Sequence, residues 1–207
     1  MFDDARAEMV RLLERYGIRD RRVLEAMARV PREEFVREQD ESVAYGDHAL
    51  GIGEGQTISQ PYVVARMTEL LATEPQHRVL EVGTGSGYQA AVLGELVREV
   101  ISVERHESLA DAARERLDRL GHGNVKVIHA DASLGWPAAA PYDRILVTAG
   151  SPGIDPELAA QLAPLGRIVA PIGDLDLQEL VVLRADGRME HHGPVRFVPL
   201  RGEAGFS

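Results

Sequence analysis

The sequence predicts a doubly wound α/β fold: a mostly parallel sheet covered by helices, with an antiparallel edge and a block of N-terminal helices. Three observations predict it. From residue 78 onward, short apolar runs alternate with amphipathic stretches, the pattern of right-handed βαβ crossovers. The first of these runs leads straight into a glycine-rich turn and then a helix. The last two runs have too little chain between them for a crossover, which suits an antiparallel pairing.

The elements follow in order. Met9, Leu12, Leu13 and Tyr16 recur at helical spacing, with Gly17 as the stop. Asp20 is placed to cap a second helix carrying Val23, Leu24, Met27 and Val30, which Pro31 ends. From Tyr45 to Gln60 the periodicity is lost and four glycines appear, so this stretch reads as a loop. Ser59 or Gln60 before Pro61 fits the cap and first turn of a third helix, whose apolar face is Val63, Val64, Met67, Leu70 and Leu71. Strands are expected at 78–82, 99–103, 125–129, 144–148 and 166–170, and helices at 87–96, 109–120 and 156–162. Two closing strands are expected at 179–184 and 195–200.

Composition narrows the function. The 207 residues suffice for one α/β domain. Apolar residues at 44% and charged residues at 27% are ordinary for a globular chain. With 23 Lys and Arg against 33 Asp and Glu the net charge is −10, and the basic residues are scattered, which argues against a nucleic-acid partner. No cysteine is present, so disulfides, thiolate metal sites and cysteine nucleophiles are excluded. The charged N-terminus lacks the apolar core of a secretion signal, and no stretch approaches a membrane span; a cytoplasmic location is expected.

The strongest local signal is Val79–Gly87, reading Val-Leu-Glu-Val-Gly-Thr-Gly-Ser-Gly. Glycines at a strand end allow a sharp turn and close approach of a ligand to the backbone. Glu104 ends the next strand, 21 positions after Gly83, where a carboxylate can accept from both hydroxyls of a ribose. The layout is Rossmann-like, yet the glycine pattern is Gly-x-Gly-x-Gly rather than the Gly-x-Gly-x-x-Gly of pyrophosphate-binding loops, and no second nucleotide-binding half follows. Glu81 is placed to face a cationic group, and Asp131, within His129-Ala130-Asp131-Ala132, to take the exocyclic amine of adenine. These features favour S-adenosyl-L-methionine over NAD. His191-His192 has no third ligand placed for a metal and reads as a solvated edge strand; no metal is expected. Trp136 and Tyr142 read as core, and Arg201 as a surface arginine.

Several segments resemble the protein-L-isoaspartate O-methyltransferase family. The most specific is Gly53–Tyr62, Gly-Glu-Gly-Gln-Thr-Ile-Ser-Gln-Pro-Tyr, preceded by Arg29-Val-Pro-Arg-Glu-Glu-Phe35. The likeness continues through 79–93, 131–137, 142–149 and 197–200, nearly the whole chain. One departure is Ala130-Asp131-Ala132, where the family usually has Gly-Asp-Gly; the two added methyl groups tighten the backbone approach to adenine.

The resemblance implies methyl transfer to the free α-carboxylate of L-isoaspartyl and D-aspartyl residues in damaged proteins, with repair through a succinimide. It places the catalytic hydroxyl at Ser59, whose alternative role is a helix cap. It places the cofactor against Thr57, Ile58, Gln60, Glu81, Gly83, Thr84, Gly85, Ser86, Gly87, Glu104, Arg105, Asp131 and Ala132. A single domain over 1–207 is expected, with 1–77 supplying helices and a covering loop and 78–207 the cofactor-binding core; it is expected to be monomeric, with no membrane or nucleic-acid partner. A small-molecule or RNA methyltransferase of the same fold, and a non-catalytic S-adenosylmethionine-binding protein, are the alternatives.

Overall fold

The computed structural model of the chain describes residues 2–206. Helix α1 spans Phe2–Arg15, with Asp3 and Asp4 in its first turn and Arg15 in its last, each matched to the helix dipole. It buries Met9 and Leu13. Helix α2, Arg21–Arg29, is capped as expected: the Asp20 carboxylate accepts the Arg22 amide at 2.8 Å. Two 3₁₀ turns at Arg32–Phe35 and Glu38–Val43 follow.

The stretch read as a loop contains a hairpin. Strands β1 (Leu50–Gly53) and β2 (Gln56–Ile58) pair antiparallel, with Glu54 at φ 52° and Gly55 at φ 69° making the turn. Helix α3, Pro61–Leu71, begins directly after it. Arg144 donates to the carbonyls of Leu71 and Ala72 at 2.7 and 3.1 Å, and Arg167 to that of Leu70 at 3.1 Å. These bonds satisfy carbonyls that a helix end leaves open and fasten α3 to the sheet.

The sheet is built from β3 (Arg78–Val82), β4 (Glu99–Glu104), β5 (Val125–His129), β6 (Tyr142–Val147), β7 (Leu162–Gly173), β8 (Gln178–Arg184) and β9 (Met189–Val195). Helices α4 (Tyr88–Gly94), α5 (Glu107–Arg119) and α6 (Pro156–Ala159) form the connections. The strand order is β5-β4-β3-β6-β7-β8-β9. The first five of these are mutually parallel; β8 and β9 add on antiparallel.

Alternation along the strands makes two cores. Val79, Val100, Leu146 and Val169 face the layer of α1–α4, while Leu80, Ile101, Ile145 and Ile168 face the layer holding Leu158 of α6. Tyr142 belongs to the second core, fully buried, with its hydroxyl donating to the Trp136 carbonyl at 2.6 Å. The closing strand is not where the sequence suggested. It occupies 189–195, and 197–200 is extended chain held by bonds to Gly150 (Gly150 amide to Val198 carbonyl 2.8 Å, Leu200 amide to Gly150 carbonyl 2.7 Å). His191 and His192 therefore lie on the outermost strand, and no cluster of potential metal ligands occurs among the described residues. No helix among the described residues is long and apolar enough to cross a membrane.

Candidate active site

Strand order reverses between β3 and β6, since β4 lies on one side of β3 and β6 on the other. In open α/β sheets the crevice at such a point, outside the carboxyl ends of the strands, is where ligands bind. A cavity of about 930 Å³, counting its open mouth, occupies that position, lined by the ends of β3, β4, β5 and β6.

Gly83 to Ser86 form its floor. Gly83 has φ +100°, and a Cβ there would run into the Thr148 hydroxyl, which instead donates to the Gly83 carbonyl at 2.5 Å. Only glycine fits. Gly87, at φ +89°, opens α4 and faces the other way: a Cβ would meet Ala113 and Leu117 of α5 at 3.4 Å. It packs two helices together and does not line the cavity.

Glu104, 5% exposed, projects from the end of β4 into the cavity wall. One carboxylate oxygen accepts the Gly85 amide and the other the His106 amide, both at 2.9 Å. Each oxygen keeps a lone pair for a ligand. Arg105 lines the same wall.

Glu81 is not on this surface. It is fully buried within β3, hydrogen-bonded by Ser102, whose hydroxyl lies 2.5 Å from that of Thr84. Burial pushes its carboxyl up to about 8, the Ser102 bond works against that, and Glu104 adds to it. Burial thus favours the neutral form of Glu81, and one of its oxygens has no hydrogen-bond partner among the described residues. The expectation that it faces a cationic ligand is corrected: the residue lies beneath the glycine loop.

At the end of β5, Asp131 and Ala132 both line the cavity. Burial raises the Asp131 carboxyl, but the Ser133 amide and hydroxyl, the Glu203 amide and the Arg105 charge together hold it below the ordinary range. Arg201, read as a surface residue, is exposed and also lines the cavity.

The opposite wall comes from the hairpin and the start of α3. Thr57, Ile58 and Ser59 line it. Ser59 is not the helix cap. That position is Gln60, and its side chain makes no capping bond; Asp47 accepts the Tyr62 amide at 2.9 Å and a Gln60 side-chain amide bond at 3.3 Å. Gln60 thus stands outside the cavity, serving the helix start. The half-buried Ser59 hydroxyl makes no hydrogen bond among the described residues.

A family model described as protein-L-isoaspartate(D-aspartate) O-methyltransferase matches residues 4–205. The chain belongs to this family. A relative from Syntrophobacter fumaroxidans, protein-L-isoaspartate O-methyltransferase 1, is 51% identical over 99% of this chain and 98% of its own. A solved protein-L-isoaspartate O-methyltransferase superposes with a TM-score of 0.87 at 31% identity, over 97% of this chain and 67% of that one. A Plasmodium falciparum structure, described as a protein-L-isoaspartate O-methyltransferase in complex with S-adenosyl-L-homocysteine, gives a TM-score of 0.82 at 25% identity over 95% and 98%.

Of the residues expected at the site, the cavity gathers all but Gln60, Glu81 and Gly87. It also adds residues that the sequence did not single out. Thr148 and Ala149 directly follow β6, and the rule that ligands gather at carboxyl strand ends is a signal that could have found them. Tyr88 and Gln89, which open α4, follow the glycine loop directly. Phe197–Leu200 are held at the cavity by bonds to Gly150 and by the Phe197 amide on the Gln178 side chain at 2.8 Å, and in the sequence only the family resemblance marks this segment.

Proposed function

We propose that this chain transfers a methyl group from S-adenosyl-L-methionine to the free α-carboxylate of L-isoaspartyl and D-aspartyl residues in damaged proteins and peptides, starting repair through a succinimide. The observation that carries this reading is a single cavity whose two walls differ. One is a glycine floor with carboxylates at two strand ends; the other presents the Ser59 hydroxyl, which has no partner among the described residues. Residues 1–77 cover the cavity and residues 78–207 hold the cofactor. The cysteine-free composition is compatible with work in the cytoplasm.

The donor wall fits an adenosine-bearing ligand. Glu104 offers acceptors for ribose hydroxyls, Asp131 an acceptor for an exocyclic amine, and Gly83–Ser86 close approach of backbone. When bound, S-adenosyl-L-methionine supplies an electrophilic methyl group on a positively charged sulfur. Acceptor chemistry asks little of the protein. A carboxylate with a reference pKa near 3.9 is ionised at neutral pH, so no general base is required. What remains is placement and exclusion of water. Ser59 donates to one carboxylate oxygen and leaves the other to attack, while Ile58, Met67 and Phe197 keep the wall apolar.

The test offers methyl-labelled S-adenosyl-L-methionine to a peptide containing isoaspartate and to its aspartyl twin. Label in the isoaspartyl peptide alone, released by mild base, supports the reading. Equal labelling of both, or of neither, rejects it.

A further inference from the structure

The segment Val198–Phe206 ties two strand ends together. Val198 and Leu200 are bonded to Gly150, just beyond β6, and the chain then turns onto Asp131 at the end of β5. The turn is closed by the Gly205 amide on the Gly202 carbonyl at 3.2 Å and the Phe206 amide on the Leu200 carbonyl at 2.8 Å. Two backbone amides of this turn grip the β5 end: that of Glu203 donates to Asp131 Oδ2 at 3.1 Å, and that of Ala204 to the Ser133 hydroxyl at 3.1 Å. Asp131 Oδ1 accepts the Ser133 amide at 2.8 Å.

We propose that the Gly202–Ala204 turn is the positioning element that makes the cofactor site selective for a purine bearing an exocyclic amine. The inference rests on the reading of Asp131 as the adenine contact. A carboxylate only accepts hydrogen bonds, and each oxygen has two lone pairs. With one pair on Oδ1 taken by Ser133 and one on Oδ2 taken by Glu203, the carboxylate plane is fixed, and an unused lone pair is presented to the cavity that Asp131 lines. An amine donates to that pair. A carbonyl at the same ring position sets acceptor against acceptor. Without the turn Oδ2 loses its amide and only the Ser133 bond to Oδ1 remains, so the carboxylate plane is no longer fixed and this distinction weakens.

Gly202 is what lets the turn seat. Its φ is +148°, and a Cβ there would overlap Asp131 Oδ1, lie 2.5 Å from Oδ2 and 2.6 Å from the Ser133 hydroxyl. Any side chain at this position lifts the turn off the carboxylate. The Glu203 contribution comes from its amide, since its side chain is exposed and points to no partner in the site.

The experiment measures dissociation constants of S-adenosyl-L-homocysteine and of its 6-oxo analogue, S-inosyl-L-homocysteine, by calorimetry on the full chain. Gly202→Ala and Glu203→Pro, which deletes the amide, are read against Glu203→Ala, which keeps it. Both are expected to cut the preference for the adenosyl ligand by about tenfold, the scale of one hydrogen bond to a charged group, relative to Glu203→Ala. Loss confined to the adenosyl ligand separates positioning from general loosening, which weakens both ligands together. If Gly202→Ala and Glu203→Pro keep the preference while Asp131→Ala loses it, the turn has no such role and the inference is overturned. If Asp131→Ala also keeps the preference, the adenine reading of Asp131 falls, and the inference with it.

Discussion

The carboxylate of Glu104 accepts the backbone amide of Gly85 at 2.9 Å, so the second strand end holds the glycine loop of the first in place. Under the proposed function Glu104 both shapes the loop and offers acceptors to a ribose, and a variant removes the two together. Glu104→Ala is expected to weaken binding of S-adenosyl-L-homocysteine by at least 1–3 kcal/mol, on the order of ten- to a hundredfold or more. Glu104→Gln keeps one acceptor and should fall between. An unchanged dissociation constant in Glu104→Ala would show that the loop and the ligand are indifferent to this side chain.

Ser59→Ala separates placement of the acceptor from binding of the cofactor. Because Gln60 holds the cap position and the Ser59 hydroxyl has no partner among the described residues, stability should change by no more than about 0.5 kcal/mol. Turnover on an isoaspartyl peptide should fall roughly a hundredfold, the typical loss when one donor to a reacting anion is removed. Cofactor affinity should barely move. A variant with wild-type turnover contradicts the assignment.

Glu81 makes stability depend on pH in a direction unusual for a carboxyl group. Its folded-state value of about 8 lies above the ordinary 4.5. Below pH 4.5 both folded and unfolded chains hold the proton and the group is neutral in its effect. As pH rises from about 4.5 to 8, the unfolded chain gives up its proton first, and folding is progressively disfavoured. Glu81→Gln keeps the shape without the charge. It should match the wild type at pH 4.5 and gain on it up to pH 8, by on the order of a few kcal/mol at most. Melting temperatures of both proteins across this range decide; a gap that stays constant with pH contradicts a buried, neutral Glu81.

The hairpin over the cavity is held at its tip by weak bonds. Ser108 donates to Glu54 at 2.9 Å, His106 lies 3.9 Å from the same carboxylate, and Ile52 sits over Gly85. Exposed contacts of this kind contribute about 1 kcal/mol or less. Glu54→Ala should accordingly speed dissociation of S-adenosyl-L-homocysteine by up to about fivefold, as read by stopped-flow fluorescence or chase. A change of several hundredfold would mean that the tip carries more of the closure than these contacts explain.

Much of this was legible in the sequence because the parallel strands are buried on both faces and separated by helices of regular period. Asp20, Pro31 and Pro61 mark helix boundaries that the structure keeps. The hairpin at 50–58 was not legible, since glycines and polar residues break the alternation that identifies strands. The last strand was misplaced for the opposite reason. Gly193 and Pro194 disguise an edge strand, where such residues are tolerated, while Phe197–Leu200 are apolar because they wall a cavity. Glu81 was misread because adjacency to the glycine loop in sequence does not say which side of the loop a side chain takes. Asp131 was found from its strand end, but the turn that grips it arrives from residue 202 onward, through contacts no local pattern encodes.

The most direct test of the central claim localises the methyl group. A peptide carrying one isoaspartyl residue, one ordinary aspartyl residue and a free C-terminus presents three different carboxylates to the enzyme with S-adenosyl-L-methionine, and tandem mass spectrometry reads where the ester forms. The account predicts methylation only at the α-carboxylate of the isoaspartyl residue, followed by its conversion to a succinimide. Ester on the aspartyl side chain or the C-terminus, or on none of the three, would contradict it.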